Sequence, residues 1–124
     1  MPEHPNATLA REMADLMSRG EMQKLEGFIA DDVEWHEIGR AEPVRGKEAL
    51  RAAMTAGVDY AITFKVHDVV ANDDHTIALG EATATRSGRT LVYRTAEIYH
   101  IRDGKITARW AFSDDTAAIT AFFG

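Results

Sequence analysis

Four acids, one histidine and one indole fall within the seven residues from Asp31 to Glu37: Asp31, Asp32, Glu34, Trp35, His36 and Glu37, with Val33 between them. Side chains of these types support three kinds of chemistry. Carboxylates and imidazoles bind a metal ion when they converge on one point. Carboxylates on an edge strand are simply solvated. A carboxylate against an apolar wall can exchange protons near neutral pH, because burial disfavours its charged form. Strand geometry separates these cases. If residues 33–38 are extended, Glu34 and His36 point one way while Trp35 and Glu37 point the other. His36 and Glu37 then cannot share an ion, and His4, His67, His75 and His100 form no helical i, i+4 pair. No metal site is expected. Asp31 and Asp32 end a helix, and Glu34 meets solvent. Glu37 shares a side with Trp35, a residue that seeks cover. It reads either as a pocket acid or as a surface residue.

Two other acids raise the same question. Glu97 sits in a segment whose one face reads Leu91, Tyr93, Thr95, Glu97, Tyr99 and Ile101. Apolar ends and a polar, aromatic middle suit a pocket wall. The same face suits a strand turned outward, to solvent or a second copy. Asp114 follows Ala108, Trp110 and Phe112 on one side of the last strand, where it reads as a pocket rim or as a helix cap, with Asp115 competing for the cap. Arg94 and Arg109 read as surface or interface residues. Ser18, Ser87 and Ser113 lack any nucleophile-elbow context, and the glycines sit at turns and helix ends rather than in a phosphate-binding loop.

The elements that must hold these residues are helical first and extended later. Leu9, Met13, Leu16 and Met17 make one apolar stripe, with Asn6 or Thr8 as cap and Gly20 as stop. Met22, Leu25, Phe28 and Ile29 mark a second short helix, weakened by Gly27. Ala49, Leu50, Ala53 and Met54 mark a third, stopped by Gly57. Strands follow. Tyr60, Ile62, Phe64 and Val66 alternate with polar or small neighbours. A second strand runs from His75 to Arg86, a third from Arg89 to Arg102 and a fourth from Lys105 to Ser113. Ser87-Gly88 and Asp103-Gly104 are hairpin turns. A short final helix carries Ile119, Phe122 and Phe123. Helices grouped before an antiparallel meander predict an α+β fold, with helices on one face of a curved sheet.

The 124 residues suit a single domain, 1–124, and 45% apolar content supports one core. There is no cysteine, which removes thiol and disulfide chemistry. The net charge of −6 argues against nucleic acid and against an anionic membrane surface. No run of apolar residues approaches a membrane span, and the start has no secretory pattern, so a cytoplasmic protein is expected.

Three segments carry a family resemblance: "GEMQKLEGFIADDVEWHEIG", "EPVRGKEALRAAM" and "YHIRDGKITARWAFSDD". Together they resemble the nuclear-transport-factor-2-like superfamily, and within it the SnoaL-like polyketide cyclase and ketosteroid-isomerase-like group. The resemblance implies a cone-shaped α+β barrel. Three helices of the N-terminal half would pack on a strongly curved, mostly antiparallel sheet, with a short C-terminal helix and a deep pocket between. It also implies a homodimer through the outer sheet face. Glu37 falls where the isomerases keep their aspartate base, and Glu97 close to their protonated aspartic acid. Asp114 falls where cyclases and limonene-epoxide-type hydrolases of the superfamily keep an acid. The isomerases' oxyanion tyrosine lands on Met13, which cannot donate a hydrogen bond.

The reading that follows is a cofactor-independent acid–base enzyme, isomerase- or cyclase-like, acting on an apolar cyclic or polyketide-like molecule. Glu37, Glu97 and Asp114 would be catalytic. Met13, Met17, Trp35, Tyr99, Trp110 and Phe112 would line the pocket. The alternatives are a non-catalytic ligand-binding protein, a limonene-epoxide-type hydrolase, or an interaction module using the outer sheet.

Overall fold

The computed structural model describes residues 3–55 and 59–123, so Gly57, the expected stop of the third helix, lies outside the described residues. Helix α1 spans Pro5–Ser18. Proline suits a first turn, whose N–H groups have no intrahelical partner. His4, rather than Asn6 or Thr8, caps it: its Nδ1 accepts from the Asn6 N–H at 3.1 Å. Gly20, at φ 71°, turns the chain after the helix. The buried stripe is Ala7, Ala10, Met13 and Leu16, with Leu9 and Met17 half-buried beside it. Ser18 anchors the helix end to the sheet, exchanging hydrogen bonds with the Phe64 backbone at 3.0 and 3.1 Å.

The second helix is shorter than expected. Helix α2 covers Met22–Leu25 and a 3-10 turn covers Glu26–Phe28, so Ile29 opens strand β1 (Ile29–Trp35) instead of closing a helix. Strand β2 (Val44–Arg45) and helix α3 (Lys47–Thr55) follow. On α3 Leu50 is buried and Met54 half-buried, while Ala49 and Ala53 face solvent. Strands β3 (Tyr60–Ala71), β4 (Thr76–Arg86), β5 (Arg89–Arg102) and β6 (Lys105–Ser113) form the meander, and helix α4 (Thr116–Phe123) ends the chain.

The six strands lie in one sheet in the order β2-β1-β6-β5-β4-β3. Every pairing is antiparallel except β1 with β6. Ser87-Gly88 and Asp103-Gly104 close the β4–β5 and β5–β6 hairpins, all four residues at positive φ, as a two-residue turn between right-twisted strands requires. Register shifts leave His67 unpaired on β3 and Thr107 unpaired on β6. Such bulges bend a sheet, and this one curls without closing.

Two cores fill the concave side. One joins α1, α2 and α3 to β1, with Val69, Ala78, Tyr99 and Ile106 from the other strands. The second joins α4 (Ile119, Phe122) to Ala82, Ala84 and Tyr93. Small residues on β4 permit close approach. A Cβ at Gly80 would lie 2.8 Å from the Lys65 carbonyl and would strike the Phe64 ring, so only glycine lets that ring settle across β4. No helix among the described residues is long and apolar enough to cross a membrane.

Candidate functional site

The inward side chains of β5 run from one core to the other. Tyr93 belongs to the α4 core and Tyr99 to the α1 core; Thr95 and Glu97 lie between them, both buried. Glu97 is flanked by Ala78 on β4 and Ala111 on β6, whose short side chains leave it uncrowded in the sheet. A carboxylate this deep requires partners, and it has two. Tyr99 Oη donates to Oε2 at 2.9 Å, and Arg109 Nη2 donates to Oε1 at 2.5 Å. Both oxygens are thus acceptors.

Arg109 overturns its reading as a surface residue. Its side chain is only 10% exposed, like that of Glu97. Besides Glu97 it grips the His36 carbonyl through Nη1 at 3.0 Å, and its guanidinium lies 4.7 Å from the Trp35 ring centre. Its Nε is buried with no partner among the described residues, as is Thr95 Oγ1. The chain therefore holds a buried cation by an ion pair, a carbonyl and an aromatic face, and leaves its Nε–H without a partner among the described residues.

The parity expected for the acidic stretch holds from Glu34 to His36, but β1 ends at Trp35, so the extended run does not reach 37–38. Trp35 is buried inward. Glu34 and His36 face the other way and meet at 3.0 Å. Glu37 is half-buried just beyond β1; its carbonyl accepts from the Arg40 N–H at 3.2 Å, its carboxylate has no hydrogen bond or ion pair among the described residues, and its charge raises the pKa values of both Tyr60 and Arg109.

The last strand is turned over relative to expectation. Trp110 and Phe112 do share a side, but it is the convex one. Trp110 stacks on His36 at 5.0 Å and touches His100 at 4.9 Å, and Phe112 is 57% exposed. Neither lines the interior. Asp114 is also exposed and is spent on the backbone: its Oδ1 accepts from the Arg94 N–H at 3.1 Å. Asp115 is the helix cap, bonding the Ala118 N–H at 3.0 Å. Of the expected acids, Glu97 is buried, Glu37 is half-buried just beyond β1, and Asp114 is exposed. Of the expected lining residues the structure keeps Trp35 and Tyr99 inside. Met13 is part of the packed core and Met17 flanks it.

The interior raises the phenol pKa values. Burial, then the charge of Glu97, pushes Tyr99 well above its ordinary value; Tyr93 rises for the same two reasons. Tyr60 rises through burial and then Glu37. Burial acts against the charge of Arg109, but Glu97, Tyr99 and Glu37 outweigh it and raise its pKa. These are the chain's only three tyrosines, so the whole phenolate titration is expected to begin above the ordinary value of about 10. Above that pH the unfolded chain loses phenol protons that the folded chain retains. The unfolded state then binds fewer protons, and stability falls as pH rises; below about 10 this contribution is constant. Phenolate absorbance and urea midpoints across the alkaline range measure both effects. An ordinary titration of all three phenols would contradict the burial.

Helices packed on a curled, unclosed mixed sheet are the arrangement of the nuclear-transport-factor-2-like cone fold. The chain belongs to the SnoaL-like domain family, whose model matches residues 10–109. It is 29% identical over 130 residues to an uncharacterized protein of Mycobacterium tuberculosis (strain ATCC 25618 / H37Rv), spanning 99% of each. It superposes on a proposed polyketide cyclase from Xanthomonas campestris pv. campestris with a TM-score of 0.79 and 19% identity, covering 91% of this chain and 93% of that one. An epoxide hydrolase of M. tuberculosis, similar to limonene epoxide hydrolase, gives 0.78 and 13%, covering 94% and 88%. At such identities the likeness to the two solved structures is one of fold.

Proposed function

We propose that this protein binds a small, mostly apolar cyclic or polyketide-like molecule against the inner sheet face, and transforms it by acid–base chemistry without a cofactor. One observation carries the reading: a buried Glu97–Arg109–Tyr99 cluster lies between two apolar cores, with the unpaired carboxylate of Glu37 close by. Glu37 is the base. Its carboxylate is half-buried rather than enclosed, has no partner among the described residues to give up, and acts on the charge of Arg109. Glu97 holds Arg109 in place and is a positioning residue. Trp35 and the tyrosines limit water, which strengthens the field of these charges. The cyclase and hydrolase among the structures of this fold support small-molecule chemistry on such a scaffold.

Mass spectrometry of co-purifying molecules, followed by thermal-shift screening of aromatic and terpenoid ligands, identifies the substrate. With it in hand, Glu37→Gln is expected to lower turnover about 10²- to 10⁴-fold while retaining binding, and Asp114→Asn to leave turnover intact. Full activity in Glu37→Gln would refute the assignment. A second reading, binding without turnover, draws on Met13, which offers the interior no donor where the resemblance would put a tyrosine. Recovery of every bound ligand chemically unchanged would favour it. The buried Arg109–carboxylate pair also fits an epoxide-opening reaction, for which diol formation is the readout.

The convex face is proposed to meet a second copy. Leu79, Ala96 and Phe112 lie in one row across β4, β5 and β6, and Ile77, Ile98 and Trp110 in the next. Leu79 and Phe112 are exposed, and apolar rows of this kind on one sheet face mark association surfaces. Phe112→Asp is expected to shift a dimer to monomer in sedimentation, and a monomeric parent protein would refute the interface.

A further inference from the structure

Two histidines meet across strands at one end of the sheet. His75 immediately precedes β4 and His100 lies on β5; their ring centres are 5.0 Å apart, with the planes at 72°. The next pair along, Thr76 opposite Tyr99, is buried, so alternation turns His75 and His100 to the other side of the sheet, away from the inner face. Helical spacing, on which no metal site was expected, does not reveal such a pair. It exists only because β4 and β5 pair.

The two rings are free while their backbones are fixed. Neither imidazole has a hydrogen bond or ion pair among the described residues. Asn72 pins His75 twice: its Oδ1 accepts from the His75 N–H at 2.8 Å, and its own N–H donates to the His75 carbonyl at 2.9 Å. The His100 carbonyl accepts from Thr107 Oγ1 at 3.2 Å, and Trp110 packs against the His100 ring at 4.9 Å. Neighbouring histidines are already engaged. His4 uses Nδ1 on the Asn6 N–H and Nε2 on Asp73, and His36 Nε2 meets Glu34.

Imidazole nitrogens held together in this way suit a cation that binds nitrogen. An ion about 2.0–2.1 Å from one nitrogen of each ring lies about 3 Å from each ring centre, so tetrahedral coordination sets the centres about 5 Å apart. The observed 5.0 Å matches. No group of three or more histidine, aspartate or glutamate side chains among the described residues is placed to hold an ion, so two imidazoles are the protein's share and water fills the remaining positions. A groove of about 840 Å³ beside the pair has room for a hydrated ion, and on its walls the carboxylates of Asp73, Asp74 and Asp103 outnumber the guanidinium of Arg102. Such a field gathers cations. We propose that His75 and His100 form a two-histidine site for a divalent transition-metal ion of the zinc class. Hard ions such as Mg²⁺ prefer oxygen ligands and are excluded by the donor set. The site is separate from the chemistry proposed for the inner face.

The test titrates Zn²⁺ into the full-length protein while imidazole ¹H–¹⁵N spectra follow each histidine. Zn²⁺ is expected to shift the ring nitrogens of His75 and His100 together, and Mg²⁺ to shift neither. His75→Gln and His100→Gln are each expected to weaken Zn²⁺ binding about tenfold or more, because the second imidazole of a fixed pair binds intramolecularly. His4→Gln and His36→Gln are expected to retain it. His75 is exposed and its backbone bonds do not involve its ring, so His75→Gln is expected to keep the near-ultraviolet circular dichroism of the parent. Unchanged Zn²⁺ affinity in both His75→Gln and His100→Gln would overturn the proposal. Loss of binding only in His4→Gln or His36→Gln would also overturn it, by placing the ion elsewhere. So would an equal response to Mg²⁺, or ring nitrogens of His75 and His100 that Zn²⁺ leaves unmoved.

Discussion

Replacement of Arg109 by methionine is expected to lower the unfolding free energy by about 3–5 kcal/mol, a large part of the stability of a domain this size. The loss does not measure the strength of the ion pair. It measures what remains: Glu97 buried among Ala78, Ala111 and Tyr99 with its cation removed, and the His36 carbonyl without its donor. The contrast that isolates this cause is the triple variant Glu97→Leu, Tyr99→Phe, Arg109→Met. Removing all partners together leaves no orphaned charge or hydroxyl, so most of the lost stability is expected to return. Urea unfolding of the single and triple variants is the measurement. A single variant within about 1 kcal/mol of the parent would mean that Glu97 and Arg109 are solvated in solution. A triple variant as unstable as the single one would locate the loss in packing.

Trp35→Ala is expected to be comparably severe, at about 3–5 kcal/mol. Trp35 is 5% exposed and fills the α1 core between β1 and the guanidinium of Arg109, whose central carbon lies 4.7 Å from the ring centre. Two terms combine here: the cavity left by the indole, and the cation–π contact, which in a desolvated setting reaches about 2 kcal/mol. Trp35→Leu separates them, since leucine restores much of the apolar volume and none of the ring. Chemical denaturation should therefore rank the parent above Trp35→Leu and Trp35→Leu above Trp35→Ala. If Trp35→Leu matched the parent, the ring would contribute nothing to holding Arg109. Because Arg109 is gripped from three sides, a loosened Trp35 is also expected to blunt ligand binding at the inner face.

Where local pattern decides structure, the chain is readable. The hairpin residues Ser87-Gly88 and Asp103-Gly104 have the turn chemistry their positive φ values demand, and so β5 and β6 begin and end where the pattern places them. The alternation around Trp35 separates an inner indole from an outer Glu34–His36 pair. Apolar spacing marks Ile119 and Phe122 as the buried residues of the last helix. The helix caps and the second helix were harder, because caps compete among neighbouring polar residues and a four-residue helix has almost no periodicity to read.

Arg109 shows why the site itself was not readable. A charged residue is almost never buried unless paired, and its partner Glu97 lies across a hairpin. Counted back from Arg102 opposite Lys105, an unbulged ladder would set Trp110 opposite Glu97 and turn it, with Phe112, toward the interior. The ladder instead carries one extra residue, Thr107, so Ala111 faces Glu97, Arg109 faces Tyr99, and the aromatic pair is sent to the convex side. Turn chemistry and alternation within each strand were enough to define an α+β fold with helices on one face of a curved sheet and with Trp35 turned away from Glu34; the cone was implied by the family resemblance, and the face carrying Glu97 read equally as a pocket wall or an outward strand. Which cation meets Glu97 was decided only when the strands paired. With a side-chain period of two, a single unpaired residue exchanges the two faces of everything beyond it, and nothing in the local sequence at Thr107 announces where that residue will fall.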